Sequence, residues 1–188
     1  MTLFAEAVSL VFGAPWIFII GWALLFSSGL AKSQIIFMSI SFLLLYVLVP
    51  GAYMAYSMKK GYIEDFDVSK RQERYGIMSV YLVAHIMNIV LAYLYMTPEF
   101  LEKLLIAALT YTTIYIITFY WKISLHMAIN IVGITFINMA TGWHYVWLYA
   151  LIPIVAWSRL RLKMHTPLQL LAGTVIPFVE IAVVRLFF

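Results

Sequence analysis

Residues 157–177 read WSRLRLKMHTPLQLLAGTVIP and join a cationic segment to a long apolar run. The cationic segment carries Arg159, Arg161, Lys163 and His165. Thr166 suits the N-cap of a helix, Pro167 suits its first position, and Thr-x-x-Gln is the capping-box pattern. The apolar run is therefore predicted to be a helix that begins beside the cations. Cations, a histidine and free helix N–H groups suit a bound anion, above all phosphate; a positive-inside loop before a capped helix is the alternative.

The composition indicates a membrane protein. The chain has 188 residues, of which 65% are hydrophobic and 11% charged, and its mean hydropathy is +0.98. A soluble domain of this size could not bury so much apolar surface. We therefore predict a single all-α domain over residues 1–188, a polytopic transmembrane helical bundle of six to seven spans. The chain has no cysteine, which excludes disulfides and thiolate metal sites, and residues 1–8 lack a basic leader, so we expect them to belong to the mature protein.

Apolar runs separated by polar turns give the predicted spans, because a transmembrane helix needs about 20 apolar residues. The spans are predicted at about 15–31, 34–58, 76–96, 98–120, 124–140, 144–157 and 167–188. Gly13, Ala14 and Pro15 interrupt the first apolar run, so residues 3–12 are expected to lie at the membrane interface. If the first segment is interfacial as a whole, six spans remain.

Most basic residues fall on one side of the predicted membrane. With seven spans, the loops at 59–75, 121–124 and 158–166 share a side, and they carry nine of the 12 Lys and Arg residues. The positive-inside rule makes this side cytoplasmic, in what we expect to be the cell membrane. Cations that bind a substrate, however, would not count as topology signals.

The same three loops carry side chains that suit a phosphate, and each loop leads into a predicted helix. The side chains are Arg74 before the third span, Ser124 and His126 at the start of the fifth, and Arg159 and His165 before the seventh. Guanidinium groups bind phosphate oxygens bidentately.

The pattern resembles the three signatures of the type 2 phosphatidic acid phosphatases. Residues 158–165 match the start of the third signature, Ser-Arg-x5-His-x3-Asp. Residues 122–126 are similar to the second, Pro-Ser-Gly-His, with its Ser and His kept. Residues 67–75 stand where the first, Lys-x6-Arg-Pro, belongs. The resemblance covers about residues 60–175, in the family's order and with predicted spans between the signatures.

The first signature departs from the family at two positions. Asp67 stands where the family has its Lys, and Tyr75 stands where it has its Pro. Lys70 or Arg71 could replace the missing cation from three or four residues away, and Lys70 is our candidate.

The resemblance implies a role for each matching residue. His165 would be the nucleophile that forms a phosphohistidine, and His126 would protonate the leaving alkoxide and then help to activate water. The phosphate oxygens would be held by Arg74, Ser124 and Arg159. Gln169 replaces the Asp that orients the nucleophile in the family. Its amide oxygen could accept a hydrogen bond from the imidazole, or it could serve only as the capping-box partner of Thr166.

We therefore expect a membrane-embedded lipid phosphatase that needs no metal or other cofactor. Its substrate would be a lipid phosphomonoester or an isoprenyl diphosphate, and no nucleic acid is expected as a partner. One alternative is a degenerate relative that binds lipid phosphates without turnover. Another is a metal-dependent prenyl or alcohol-phosphate transferase. The acidic residues Glu64, Asp65 and Asp67 could suggest such a metal site, but the sequence has no second acidic cluster to complete it.

His85 and Glu180 are ionisable residues in the interior of predicted spans. His85 in the third span is expected to hydrogen-bond a neighbouring helix, with a proton relay as the alternative. Glu180 in the seventh span needs a partner, for which Arg185 or the cationic edge of another helix is a candidate.

Overall fold

The described residues of the computed structural model are 2–13, 20–21, 24–25 and 28–187, and they confirm the all-α class. Their helices are α1 (Thr2–Val11), α2 (Lys32–Lys59), α3 (Arg74–Tyr95), α4 (Pro98–Thr118), α5 (Leu125–Ala140), α6 (Leu151–Arg161) and α7 (Pro167–Val184). A π-helical segment, Leu43–Leu48, lies within α2, and a 3₁₀ turn, Val146–Ala150, precedes α6.

Four of these helices, α2, α3, α4 and α7, are long and apolar enough to cross a membrane. Four helices of this length and composition indicate an integral membrane protein. The apolar helices α1 and α5 are shorter, with 10 and 16 residues. The count of six to seven spans is therefore not confirmed. Much of the first predicted span, 15–31, lies outside the described residues.

Three helices begin where the sequence places a capping residue. Thr97 accepts a hydrogen bond from a backbone N–H in the first turn of α4, and Ser124 does the same for α5. At the start of α7, the Thr166 hydroxyl accepts from the backbone N–H of Gln169, and the Gln169 amide oxygen accepts from that of Thr166 at 3.0 Å. The predicted capping box is therefore confirmed, and it fixes where the chain turns into α7.

The helices pack as a bundle in which α3 lies against α4, α4 against α7, α5 against α7, and α1 against α6. A glycine allows the close approach of α5 to α7. A Cβ atom at Gly173 in α7 would lie only 2.6 Å from the backbone oxygen of Ser124. The absence of a side chain at this position thus lets the start of α5 lie directly against α7.

Polar side chains inside the bundle find partners on neighbouring helices. The Tyr46 hydroxyl of α2 lies 2.8 Å from Nδ1 of His85 in α3, as expected for a histidine that bonds a neighbouring helix. One turn further along α3, the Asn88 amide oxygen accepts a hydrogen bond from Ser41 at 2.8 Å. Such bonds satisfy polar groups that lipid could not satisfy.

The partner of Glu180 differs from the predicted cation. Thr113 of α4 donates a hydrogen bond to Oε1 of Glu180 at 2.5 Å. Arg185 instead lies near Glu102, with 3.9 Å between guanidinium and carboxylate. The prediction of an Arg185 partner was therefore wrong, because α7 presents Glu180 to the face of α4 while Arg185 follows the end of the helix.

Candidate anion-binding site

The three loops with the predicted site residues meet at one end of the bundle. Arg74 at the start of α3 donates a hydrogen bond to the backbone oxygen of Ile123, at a distance of 3.4 Å, just before α5. The backbone N–H of Ser124 donates to the backbone oxygen of Gln169 in α7, also at 3.4 Å. The starts of α3, α5 and α7 are thus tied together, as the order of the loops predicted.

Arg159 lies at the centre of this end, in the last turn of α6, and its side chain is only 1% exposed. One terminal nitrogen donates to Oδ2 of Asp67 at 2.8 Å, and the other donates to the hydroxyl of Ser9 in α1. Its Nε is buried and has no partner among the residues that the structure describes. The guanidinium is therefore anchored on one side and retains an unused donor on the other.

Arg74 is also buried, with 5% exposure, and it supports the loop that carries Asp67. Its Nε donates to the backbone oxygen of Val68 at 2.8 Å. Val68 has a φ of +46°, in the left-handed region that β-branched residues rarely adopt. Such strain persists only where the surroundings impose it. We infer that the bond from Arg74 helps to hold this conformation, which places Asp67 against Arg159.

The two histidines lie at the same end. His165 is 7% exposed and immediately precedes the N-cap of α7, and its Nδ1 is buried without a partner within the described ranges. Nε2 of His126, in the first turn of α5, lies 3.2 Å from the backbone oxygen of Ser9. A Cβ atom at Gly13 would lie 2.9 Å from that Nε2, so a glycine is needed where the chain leaves α1.

Burial and three cations act together on His165. Burial, followed by the charges of Arg159, Arg74 and Lys122, lowers the pKa of His165 to about 3. The imidazole is therefore neutral at physiological pH and has a lone pair to offer. Burial and the two guanidinium groups also lower the pKa of Lys122 from its usual value. These mutual effects mean that the four groups lie within electrostatic range of one another.

Most of the predicted site residues are brought together by the fold. They are Arg74, Ser124, His126, Arg159 and His165. Ser124 is fully buried, but its hydroxyl caps α5 by accepting from the N–H of Met127 at 3.5 Å. The Gln169 side chain lies close by in sequence, but its amide oxygen bonds the backbone of Thr166.

Lys70 is not brought to this cluster. It forms ion pairs with Glu64 and, at 3.6 Å, with Glu73, and its side chain is 55% exposed. The hydrogen bond that Lys70 donates to the Glu64 carboxylate is the main reason that the pKa of Lys70 is raised. Lys70 is therefore held on the surface of the loop by carboxylates of that same loop. The cation that acts on His165 in addition to the two arginines is Lys122.

Three contributors were not predicted as site residues: Ser9, Lys122 and Asp67. Lys122 could have been found, since it stands two residues before Ser124 in the stretch that resembles the second signature. Asp67 was noted as a replacement for a lysine and as one of three acidic residues that could suggest a metal site, whereas the structure makes it the counter-ion of Arg159. Ser9 gives no signal in the sequence, because its role depends on how α1 packs.

The acidic residues of the loop between α2 and α3 are each engaged by a neighbour. Glu64 pairs with Lys70, Asp65 accepts from Ser69, and Asp67 pairs with Arg159. The described part of the chain contains no group of three or more His, Asp or Glu residues placed to hold a metal ion. What the site offers a ligand is therefore positive charge and nitrogen donors.

No protein-family model matches the chain, and neither does any curated protein or solved structure. The resemblance to the phosphatase signatures therefore rests on the residue types and spacing of three short stretches. The chemistry of the site is set by its own side chains: two guanidinium groups, one ammonium group and two imidazoles around a single carboxylate.

Proposed function

We propose that this protein is a membrane-embedded phosphatase that hydrolyses a lipid phosphate through a phosphohistidine at His165, without a metal ion. The observation that carries the proposal is the pair of buried nitrogens, Nε of Arg159 and Nδ1 of His165, that lack a partner within the described ranges. An unpaired buried donor costs about 1–3 kcal/mol, so such groups call for an explanation. A phosphate bound between Arg159, Arg74 and Lys122 would supply the missing acceptor.

In the first step, the neutral imidazole of His165 attacks the phosphorus atom. A nitrogen–phosphorus bond forms as the bond from phosphorus to the lipid oxygen breaks. The two arginines stabilise the charge on the equatorial oxygens, as phosphoryl transfer requires. The dianion itself favours the protonated form of His126, which gives its proton to the leaving lipid alkoxide.

In the second step, a water molecule attacks the phosphohistidine. His126, now neutral, takes a proton from that water, the nitrogen–phosphorus bond breaks, and inorganic phosphate leaves. His165 is regenerated as a neutral imidazole. The low pKa of His165, about 3, keeps it available as a nucleophile at neutral pH.

Asp67 and Lys122 would together compensate for the lysine that the resemblance leads one to expect. Asp67 holds one edge of the Arg159 guanidinium at 2.8 Å, which leaves Nε free for a phosphate oxygen. Phosphate can therefore bind without breaking this ion pair. Lys122 would provide the third positive charge, in place of Lys70.

The membrane arrangement belongs to the same proposal. We propose that α5, α6 and the segment 15–31 complete a bundle of six to seven spans in the cell membrane, with the site at its cytoplasmic end. The basic loops that lead into α3, α5 and α7 support this orientation. The lipid substrate would be a phosphomonoester or an isoprenyl diphosphate.

A specific observation favours one alternative, a protein that binds lipid phosphates without turnover. The Gln169 amide oxygen caps α7, so among the described residues His165 has no hydrogen-bond partner that fixes its tautomer. Binding would then use the same cations, but turnover would be absent. The transferase alternative has less support, because the carboxylates it would use are engaged by Lys70, Ser69 and Arg159.

The test is phosphate release by the purified protein in detergent with EDTA present, using an alkyl phosphate and an aryl phosphate. We expect His165→Ala to abolish release from both. His126→Ala should lose more with the alkyl phosphate than with the aryl phosphate, because general acid catalysis, typically about 10²–10⁴-fold, matters least for a good leaving group. A strict magnesium requirement would favour the transferase, and phosphate binding without release would favour the binder.

A further inference from the structure

A cavity of about 510 Å³ extends from the phosphate site into the bundle. Asp67, Arg74, His126 and His165 line one end of it. The other end reaches the apolar core around Leu104 of α4 and Phe136 of α5, which are 3% and 1% exposed. The polar site and the apolar core are therefore two ends of one space. Its volume lies within the range of about 300–1,000 Å³ that is typical of ligand cavities.

Helical spacing shows that the cavity is elongated. On α5 the cavity is lined at His126, Ile129, Val132 and Phe136, which are three or four positions apart, and also at Leu125 and Ala128. From His126 to Phe136 a helix rises about 15 Å, at 1.5 Å per residue. The cavity therefore follows the length of α5 away from the charged end, along one face of the helix.

The cavity is also lined by aromatic rings whose polar ends are already bonded. The Tyr46 hydroxyl bonds His85 at 2.8 Å, and the Tyr111 hydroxyl donates to the backbone oxygen of Met78 at 3.1 Å. Tyr46 belongs to the π-helical segment of α2, a feature that is frequent at functional sites. Since these polar groups satisfy one another, the rings can contact a hydrocarbon chain without leaving an unpaired group.

We propose that this cavity binds a hydrocarbon tail of the substrate inside the protein. This inference rests on the proposed function, since the phosphate of the same molecule would lie between Arg159 and His165. Both an isoprenyl chain and an alkyl or acyl chain have the chemistry that the cavity would accept.

The first experiment narrows the cavity with Val132→Phe, which places an aromatic ring into it from α5. Its matched control is Val83→Phe on α3, where the valine is 56% exposed on the outer surface of the bundle. The measurement is the ratio of kcat/KM for a long-chain alkyl or isoprenyl monophosphate to that for an aryl phosphate with no tail. In Val132→Phe the ratio should fall by about tenfold or more, since each buried CH₂ contributes to binding. Val83→Phe should keep the ratio of the parent.

Phe136→Ala is the complementary variant, because it enlarges the deep end of the cavity rather than filling it. It should move the preferred tail toward longer chains. A ratio that is unchanged in both Val132→Phe and Phe136→Ala would overturn the proposal and place the tail in the bilayer. A comparison of kcat/KM for isoprenyl and alkyl phosphates of equal length, made with the parent protein, shows which kind of hydrocarbon tail the cavity prefers.

A second readout does not depend on turnover. An alkyl phosphate with a diazirine at the end of its tail is photolysed with the intact protein, and the labelled peptides are identified. Labelling near Leu104, Val132 or Phe136 supports the cavity even if no phosphate is released, in which case only the proposed hydrolysis fails. Labelling confined to outward-facing residues such as Val83 would overturn the tail-binding proposal whether or not the protein is a phosphatase.

Discussion

Two ion pairs that involve the loop between α2 and α3 differ in how far they are exposed to solvent. Lys70 and Glu64 pair on the surface, where their side chains are 55% and 61% exposed. Asp67 and Arg159 pair at the bundle end, where their side chains are 33% and 1% exposed. Water screens the first pair, so it contributes little to stability. The second holds a buried guanidinium in place, and removing Asp67 would leave that buried charge poorly compensated. The site is therefore distinguished by burial rather than by the number of charges.

The largest effect on kcat is expected when Arg159, the cation of the pair with Asp67, is replaced. Arg159→Gln removes the group that would stabilise charge on the phosphate, and loss of one such contact costs about 10²–10³-fold in kcat. Phosphate release from a single-chain lipid phosphate, measured in EDTA, checks this. Lys70→Gln removes the exposed cation and should keep the turnover of the parent. Equal losses in the two variants would remove the contrast between the pairs.

Replacing Asp67, the carboxylate of the pair with Arg159, should have a smaller effect on kcat and an opposite effect on phosphate binding. Asp67→Asn frees Arg159 from its anchor and makes the site more positive. We expect kcat to fall about tenfold, because Arg159 would no longer be held in the position where it stabilises charge in the transition state. Inorganic phosphate should bind at least as tightly as before, because the site has lost a negative charge. Isothermal titration with phosphate, alongside kinetics, separates the two. Weaker phosphate binding in Asp67→Asn would mean that Asp67 does not compete with the anion. Glu64→Gln on the exposed pair is the control.

The two ion pairs should also differ in how the loss of their cation changes the pKa of His165. Burial first, then Arg159, Arg74 and Lys122, lowers its pKa to about 3, so the imidazole should stay neutral as the pH falls from 8 to 5. In Arg159→Gln one of these charges is lost, and the pKa should rise toward the ordinary value of about 6.5. Lys70→Gln should leave it unchanged. The NMR signals of His165 followed against pH report this, and a His165 imidazole that titrates near 6.5 in the parent would contradict the assignment.

The smallest effect is expected at Gln169, whose side chain caps α7. Gln169→Leu should destabilise the protein by about 1 kcal/mol in detergent, the typical value of a cap, and should change turnover only slightly. Unfolding curves and kcat measured on the same preparation test this. A severe loss of turnover in Gln169→Leu, with recovery in Gln169→Asp, would instead show that Gln169 orients His165 during the reaction.

Local patterns predicted the parts of the structure that depend on nearby residues. The capping box at Thr166 and the meeting of Arg74, Arg159 and His165 at one bundle end follow from helix starts and the alternation of spans. Lys70 was misplaced, because spacing along a loop does not say which cation the loop turns inward. The number of spans stays a prediction, since α5 is shorter than a full span and much of 15–31 lies outside the described residues.

The roles of Ser9 and Lys122 depended on packing that no local pattern carries. Ser9 reaches Arg159 and His126 only because α1 lies against α6 and Gly13 allows the close approach to the imidazole. Lys122 precedes an N-cap, a position that by itself indicates only a loop. Long-range contacts of this kind become visible only once the helices are placed.

The most direct test of the central claim is to trap the phosphoenzyme. The purified protein is mixed with a single-chain lipid phosphate labelled with ³²P in the presence of EDTA, quenched in alkali, and digested for mass spectrometry. A phosphohistidine is stable in alkali, and we expect it on the peptide that contains His165, in the parent but not in His165→Ala. Phosphate release by the parent with no label on that peptide, or normal turnover by His165→Ala, would contradict the account.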